Sequence, residues 1–178
     1  MRRMTLPVLI ALSLILAAPA FGAEPKSGIG FGLTGAVVDS DSLSDSLSFS
    51  GFTLFGKFGL SDHWGLAVSY RDMKDDEDLA FGEKDSYKQT SVHAVYMWRP
   101  GKIVRPHVKF GIERTDFEAK LPPFPTLTDD DVAGSVGGGL EVGTPQVAFF
   151  GDYDLTRVRL FDEDFDIGNL TAGIIFKF

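Results

Sequence analysis

LTAGIIFKF (residues 170–178) alternates bulky and small side chains with a period of two. Leu170, Ala172, Ile174, Phe176 and Phe178 share one parity, and Thr171, Gly173, Ile175 and Lys177 share the other. That period belongs to a β-strand. What has to be decided is which face is covered, and by what.

Seven earlier stretches carry the same alternation. They are Gly28 to Val38, Phe49 to Leu60, Trp64 to Arg71, Tyr87 to Arg99, His107 to Thr115, Val132 to Val142 and Gln146 to Leu155. With the quoted stretch extended back to about Phe165, the series is eight strands. Helical alternatives fit poorly, because the chain holds 20 glycines and glycine is costly inside helices. The connections alternate too. Long polar stretches follow the first, third, fifth and seventh segments: DSDSLSDSLS, DMKDDEDLAFGEKDS, DFEAKLPPFPTLTDDD and TRVRLFDEDFD. Short turns, SDH, PGK and GTP, follow the second, fourth and sixth. In an up-and-down sheet, one end then carries all the long acidic loops and the other only tight turns. Strands in lipid must satisfy every backbone group internally, so the sheet must close. The expected fold is all-β, an eight-stranded antiparallel transmembrane barrel with long loops outside the cell and turns in the periplasm.

The competing arrangement is a soluble cup with its apolar parity around a cavity. It would expose Gly30, Gly32, Ser69, Ser135, Gly137 and Gly139 to water with few charged neighbours, unlike an ordinary soluble surface. Those small residues suit a cramped lumen instead. Trp64, Tyr96 and Trp98 fall near the turn end of their strands, with Tyr70 and Tyr153 near the loop end, as two aromatic girdles would.

The N-terminus is set apart from this pattern. Met1-Arg2-Arg3 is basic, Leu6 to Ala18 is apolar, and small residues follow near Ala20. This predicts a cleaved secretory signal over residues 1–22 and a barrel over 23–178. Removing Arg2 and Arg3 leaves 15 basic against 25 acidic residues, so the exported chain has 15 − 25 = −10 charges. Such a chain is a poor nucleic-acid binder. The absence of cysteine removes disulfides, thiolate chemistry and Cys-based metal sites.

The inward parity is expected to hold Lys57, Arg71, Lys109, Glu113, Glu141, Asp152, Asp154 and Lys177, with Phe55, Val95, Met97, Phe150 and Ile175 toward the turn end. Charges in a narrow lumen must pair or stay wet. An eight-stranded barrel is just wide enough for side chains to fill it. The expectation is a plugged interior, ion pairs above an apolar plug. A narrow conduit for ions or small apolar solutes is the alternative.

Thr171, Gly173, Phe176 and Phe178 match the polar-x-Gly-x-x-aromatic-x-aromatic form of the outer-membrane β-signal. With the eight strands, the chain resembles the small OmpA- and OmpX-like outer-membrane barrels. The resemblance implies a monomer in the bacterial outer membrane, surrounded by lipid and lipopolysaccharide and inserted by the barrel-assembly machinery. It implies a structural or surface-interaction role and fixes no activity.

Other motifs carry less. GFGLTG (Gly30 to Gly35) has dinucleotide-loop spacing without the following helix, so no cofactor is expected. His63, His93 and His107 raise an enzyme or zinc reading. Lipid A-modifying barrels use a histidine–serine constellation, for which His93 with Ser91 is the nearest pairing. That makes a lipid A-modifying enzyme the second alternative; no catalytic residues and no metal ligands are assigned. The acidic runs DDED, DDD and DEDFD suggest divalent-cation binding or simply solvated loops. PPFP is expected to be stiff and extended.

Overall fold

The computed structural model describes residues 27–39, 46–75, 85–98, 103–119 and 126–178. The proposed signal segment, most of the first loop, the DDED run after Asp75 and the PPFP stretch lie outside them. The eight strands are β1 (Gly28–Asp39), β2 (Leu47–Gly59), β3 (Trp64–Asp75), β4 (Ser86–Met97), β5 (Val104–Ala119), β6 (Leu127–Gly143), β7 (Val147–Leu160) and β8 (Glu163–Lys177). Each pairs antiparallel with its chain neighbours, and β1 pairs with β8 to close the barrel. GFGLTG lies in the middle of β1, which excludes a phosphate loop there.

Closure has a measurable stagger. Partners followed around the wall run Gly28, Lys57, Ala67, His93, Gly111, Ser135, Thr156 and Ile167. The path returns to β1 at Val38, ten residues above its start at Gly28. Such a shift requires strands tilted by about 35–45°.

Burial follows the parity read from the sequence. Ile29, Phe31, Leu33, Phe52, Leu54, Phe110, Val136, Phe149 and Leu170 all face outward, with Leu33 75 % and Phe149 65 % exposed. The opposite parity is buried. An apolar wall of this extent far exceeds the exposed patches of soluble proteins and suits contact with hydrocarbon. At the turn end Trp64, Tyr96, Trp98 and Phe110 pack edge to face, with Trp64 and Tyr96 centroids 5.0 Å apart.

The loop end differs from expectation. TRVRLFDEDFD is no long loop: β7 continues to Leu160, β8 starts at Glu163, and only Phe161 and Asp162 turn the chain. Both have positive φ, 52° and 65°, the geometry of a two-residue hairpin normally written with Asn or Gly. Much of the third supposed loop is likewise strand, since β5 reaches Ala119 and β6 begins at Leu127. The run DMKD extends β3 to Asp75.

Polarity inverts along these extensions. Outside stand Arg114, Asp116, Arg157, Arg159 and Asp166, with Arg157 and Arg159 bridged to Asp166 and Asp162. Inside, Ala36, Val38, Phe49, Met73, Tyr87, Val158, Leu160 and Ile167 form a buried apolar cluster, joined by Leu47, Phe117, Ala133 and Phe165. Phe49 packs on Tyr87 and Phe117 at 5.6 and 5.9 Å. This end of the wall is built like a soluble protein, charged outside and apolar within, and stands clear of the apolar belt.

Two outcomes test this architecture by urea unfolding in lipid vesicles, read from heat-modifiable gel mobility. Met73→Ala is expected to cost about 2–5 kcal/mol by opening a void in the loop-end core. Asp162→Gly is expected to stabilise by about 0.5–1 kcal/mol, because glycine takes the left-handed conformation without steric cost.

Candidate functional site

Among the described residues, buried charged side chains converge in the lumen, and strand parity puts them there. Lys57, Arg71, Lys109, Glu113, Glu141, Asp152, Asp154 and Lys177 all sit on inward positions, and the structure gathers them into two networks.

The first crosses the middle of the barrel. The Arg71 guanidinium, 2 % exposed, donates from Nη1 to Glu113 Oε2 at 3.0 Å and to Gln89 Oε1 at 2.9 Å. Its Nη2 donates to Asp154. Lys109 Nζ lies 2.9 Å from Asp154 Oδ1 and 2.7 Å from Asp152 Oδ2. His107 Nε2 ends the chain 3.0 Å from Asp152 Oδ1. Gln89 also donates to Glu113, tying β4 to β5.

The second network lies at the turn end. Lys57 and Lys177 each donate to Glu141, one to each carboxylate oxygen. Arg105 Nε approaches Glu141 Oε2 at 3.4 Å. Three cations therefore share one carboxylate. The ion pairs do not all stand above an apolar plug as expected: the Glu141 group lies beside it, where Phe55 and Phe150 meet edge to face at 4.5 Å and Val95 and Ile175 are buried. Small residues make the room. A β-carbon at Gly30 would overlap the Phe55 ring, and one at Gly173 would lie 2.7 Å from Phe150 Cε1.

The residues of the proposed β-signal split between the two faces. Thr171 is buried and bonds Thr34 at 2.9 Å, and Thr34 in turn bonds Thr53, so three hydroxyls link β8, β1 and β2 across the closing seam. Gly173 packs under Phe150, while Phe176 and Phe178 face outward.

His93 and Ser91 do not form a pair. Ser91 bonds Ser69 at 2.6 Å, and His93 Nε2 reaches over Gly111 to Ser135 Oγ at 2.6 Å. Both partners of the His93–Ser135 pair are buried inside the barrel, away from the apolar outer face. His63 sits in a turn with Nδ1 3.0 Å from the Met97 carbonyl. Among the described residues no group of histidines and carboxylates is arranged to hold a metal. The DDD run is used otherwise. Asp129 and Asp131 accept backbone N–H groups, and Asp130 faces Arg114 at 3.1 Å.

Arg105 and Gln89 were not singled out from the sequence. Gln89 shares parity with Ser91 and His93, so extending the alternation finds it. Arg105 precedes the His107 to Thr115 stretch read as the fifth strand; here β5 begins at Val104, Pro106 lies within it, and the Pro106 carbonyl accepts from Trp98 N at 2.9 Å.

A family model described as outer membrane protein beta-barrel domain matches residues 8–178. No curated protein sequence matches the chain. Among solved structures, the chain is similar to Ail, the attachment invasion locus protein of Yersinia pestis, at 18 % identity. That match covers 88 % of this chain and 100 % of Ail with a TM-score of 0.65. Neisserial surface protein A is similar at 16 % identity, 86 % and 97 % coverage and a TM-score of 0.73. The outer membrane protein OprG of Pseudomonas aeruginosa is similar at 11 % identity, 88 % and 98 % coverage and a TM-score of 0.63.

The central network has a direct energetic test. Arg71→Met leaves Glu113 and Asp154 buried without their cation and is expected to cost about 3–5 kcal/mol. Adding Glu113→Gln and Asp154→Asn to Arg71→Met is expected to recover much of that loss in the same urea titration.

Proposed function

Because the chain belongs to the outer membrane protein beta-barrel domain family, we propose that it acts without a chemical step, as an occluded barrel with a structural or surface-interaction role. Its place is the bacterial outer membrane. We place the loop end outside the cell and the turns in the periplasm. That the wall closes within one copy supports a monomer as the working unit, in contact with lipid and lipopolysaccharide. The β-signal residues Thr171, Gly173, Phe176 and Phe178 are read by the assembly machinery during insertion.

The observation that carries this reading is the filled lumen. The Glu141 network beside the Phe55–Phe150 plug, the Arg71 network and the loop-end apolar cluster occupy the lumen with buried side chains. Charge pairs enclosed in this way are costly to separate, which favours a fixed scaffold over a conduit. The enclosed His93–Ser135 pair gives no support to lipid A chemistry, which needs groups accessible from the outer leaflet.

A surface role is supported by likeness to Ail, a protein named for attachment and invasion. The hairpin tip here is acidic, with Asp162, Glu163 and Asp164 exposed. A partner for this tip would therefore present cationic groups.

Planar-bilayer recording separates scaffold from channel. The purified protein is expected to insert without resolved conductance steps. Steady steps that disappear in Lys57→Met or Arg71→Met would replace this reading with a conduit.

A further inference from the structure

The wall is not uniformly hydrogen-bonded. The β5–β6 and β7–β8 ladders run to their tops, at Ala119↔Leu127 and Leu160↔Glu163. The β6–β7 ladder between them runs only from Gly143↔Ala148 to Ser135↔Thr156. Above that rung the two hairpins part. Thr156 Oγ1 donating to the Gly134 carbonyl at 3.1 Å is the last link of the regular seam.

Two aspartates bridge the gap in the same way. Asp131 accepts Val132 N–H on Oδ1 at 2.7 Å and Arg159 N–H on Oδ2 at 2.7 Å. Asp129 accepts Asp130 N–H on Oδ1 at 2.9 Å and Phe161 N–H on Oδ2 at 2.5 Å. Each carboxylate thus clamps one amide of its own strand and one across the gap, Arg159 of β7 for Asp131 and Phe161 of the turn that follows β7 for Asp129. The repeat is two residues on β6 against two residues at the end of β7 and its turn, so the pair replaces consecutive rungs of the missing ladder. Behind the seam lie Val158, Leu160 and Phe117 of the apolar cluster.

We propose that the upper β6–β7 seam is an acid-sensitive latch, held shut by the Asp129 and Asp131 carboxylates and released when they take up protons. An ionised carboxylate accepts on both oxygens, and hydrogen bonds to it are about twice as strong as neutral ones. A protonated carboxyl turns one oxygen into a donor that opposes the amide it faced. A backbone carbonyl in an ordinary rung has no such proton to gain, so acid acts on the linkage that holds the upper part of this seam and leaves the backbone rungs of the other ladders in place. The charged groups around it are Arg114, Asp116 and Glu118 on β5, Asp130 on β6, Arg157 and Arg159 on β7, and Asp162, Glu163, Asp164 and Asp166 at the β7–β8 hairpin. Most of the carboxylates in that set have solvent or an arginine to face, whereas Asp129 and Asp131 face amides. Release would let the two hairpins separate and open the apolar interior toward the medium.

Amide hydrogen exchange of the full barrel in lipid nanodiscs tests the latch, with rates corrected for intrinsic pH dependence. In Asp129→Asn/Asp131→Asn, Arg159 and Phe161 amides are expected to exchange about 10–100-fold faster, while Thr156 and the rungs below keep their protection. Asp130→Asn is expected to leave both amides unchanged. Acidifying the unmodified protein through the titration of the two carboxyl carbons should reproduce the double variant. Equal protection of Arg159 and Phe161 in variant and parent overturns the latch. So does an acceleration shared with the rungs below Ser135, which would report general loosening. Because the chain has no cysteine, Val132→Cys/Arg157→Cys can carry spin labels for an independent reading. Their separation is expected to lengthen in acid, and an unchanged distance equally overturns the proposal.

Discussion

Everything in this molecule depends on a backbone that leaves no edge in hydrocarbon. An unpaired N–H or C=O within a bilayer has no water to turn to, and each such group costs several kcal/mol. The pairing of Gly28–Asp39 with Glu163–Lys177 removes the last edge, and the ten-residue stagger around the wall sets the tilt and the bore. Side chains are then sorted by parity: hydrocarbon outward, small or charged groups inward. Glycines such as Gly30 and Gly173 follow from the same geometry, because a bore this narrow leaves no room beside Phe55 and Phe150 for another β-carbon.

A narrow bore also dictates how charge is handled. Charged side chains that point inward are removed from bulk water, so they persist only in mutual contact. The central chain of Glu113, Arg71, Asp154, Lys109 and Asp152 crosses from strand to strand and distributes each charge over more than one partner. The turn-end group does the same with one carboxylate among three cations. Such networks add little net stability against a well-packed apolar filling, but breaking one member is costly. They make the lumen rigid, which suits a scaffold.

Above the apolar belt the constraint relaxes, and the wall changes character. Water is available on the outside, so charged residues return there and the interior turns apolar. Backbone groups in this region can be satisfied by side chains, and the upper β6–β7 seam uses that freedom. Among the described residues, this departure from regular pairing lies in the part of the barrel where solvent tolerates it.

The sequence by itself determined the strand count, the parity of every strand within the belt and the inward placement of Lys57, Arg71, Lys109, Glu113, Glu141 and Asp152. Period-two alternation with bulky groups on one side is a local property, and eight repeats of it leave closure as the remaining solution. It did not reveal the strand tops. There the outward residues become charged, so Arg157, Arg159 and the Asp129–Asp131 run read as loop, although Val158, Leu160 and Ile167 keep the inward alternation. A turn made by Phe161 and Asp162 lacks the glycine that would have marked it. Only the tertiary structure decided which charges meet. Partners such as Lys57 and Glu141, or Arg71 and Asp154, are far apart in the chain and on different strands, and their meeting is set by the stagger, a property of the closed sheet that no single segment encodes.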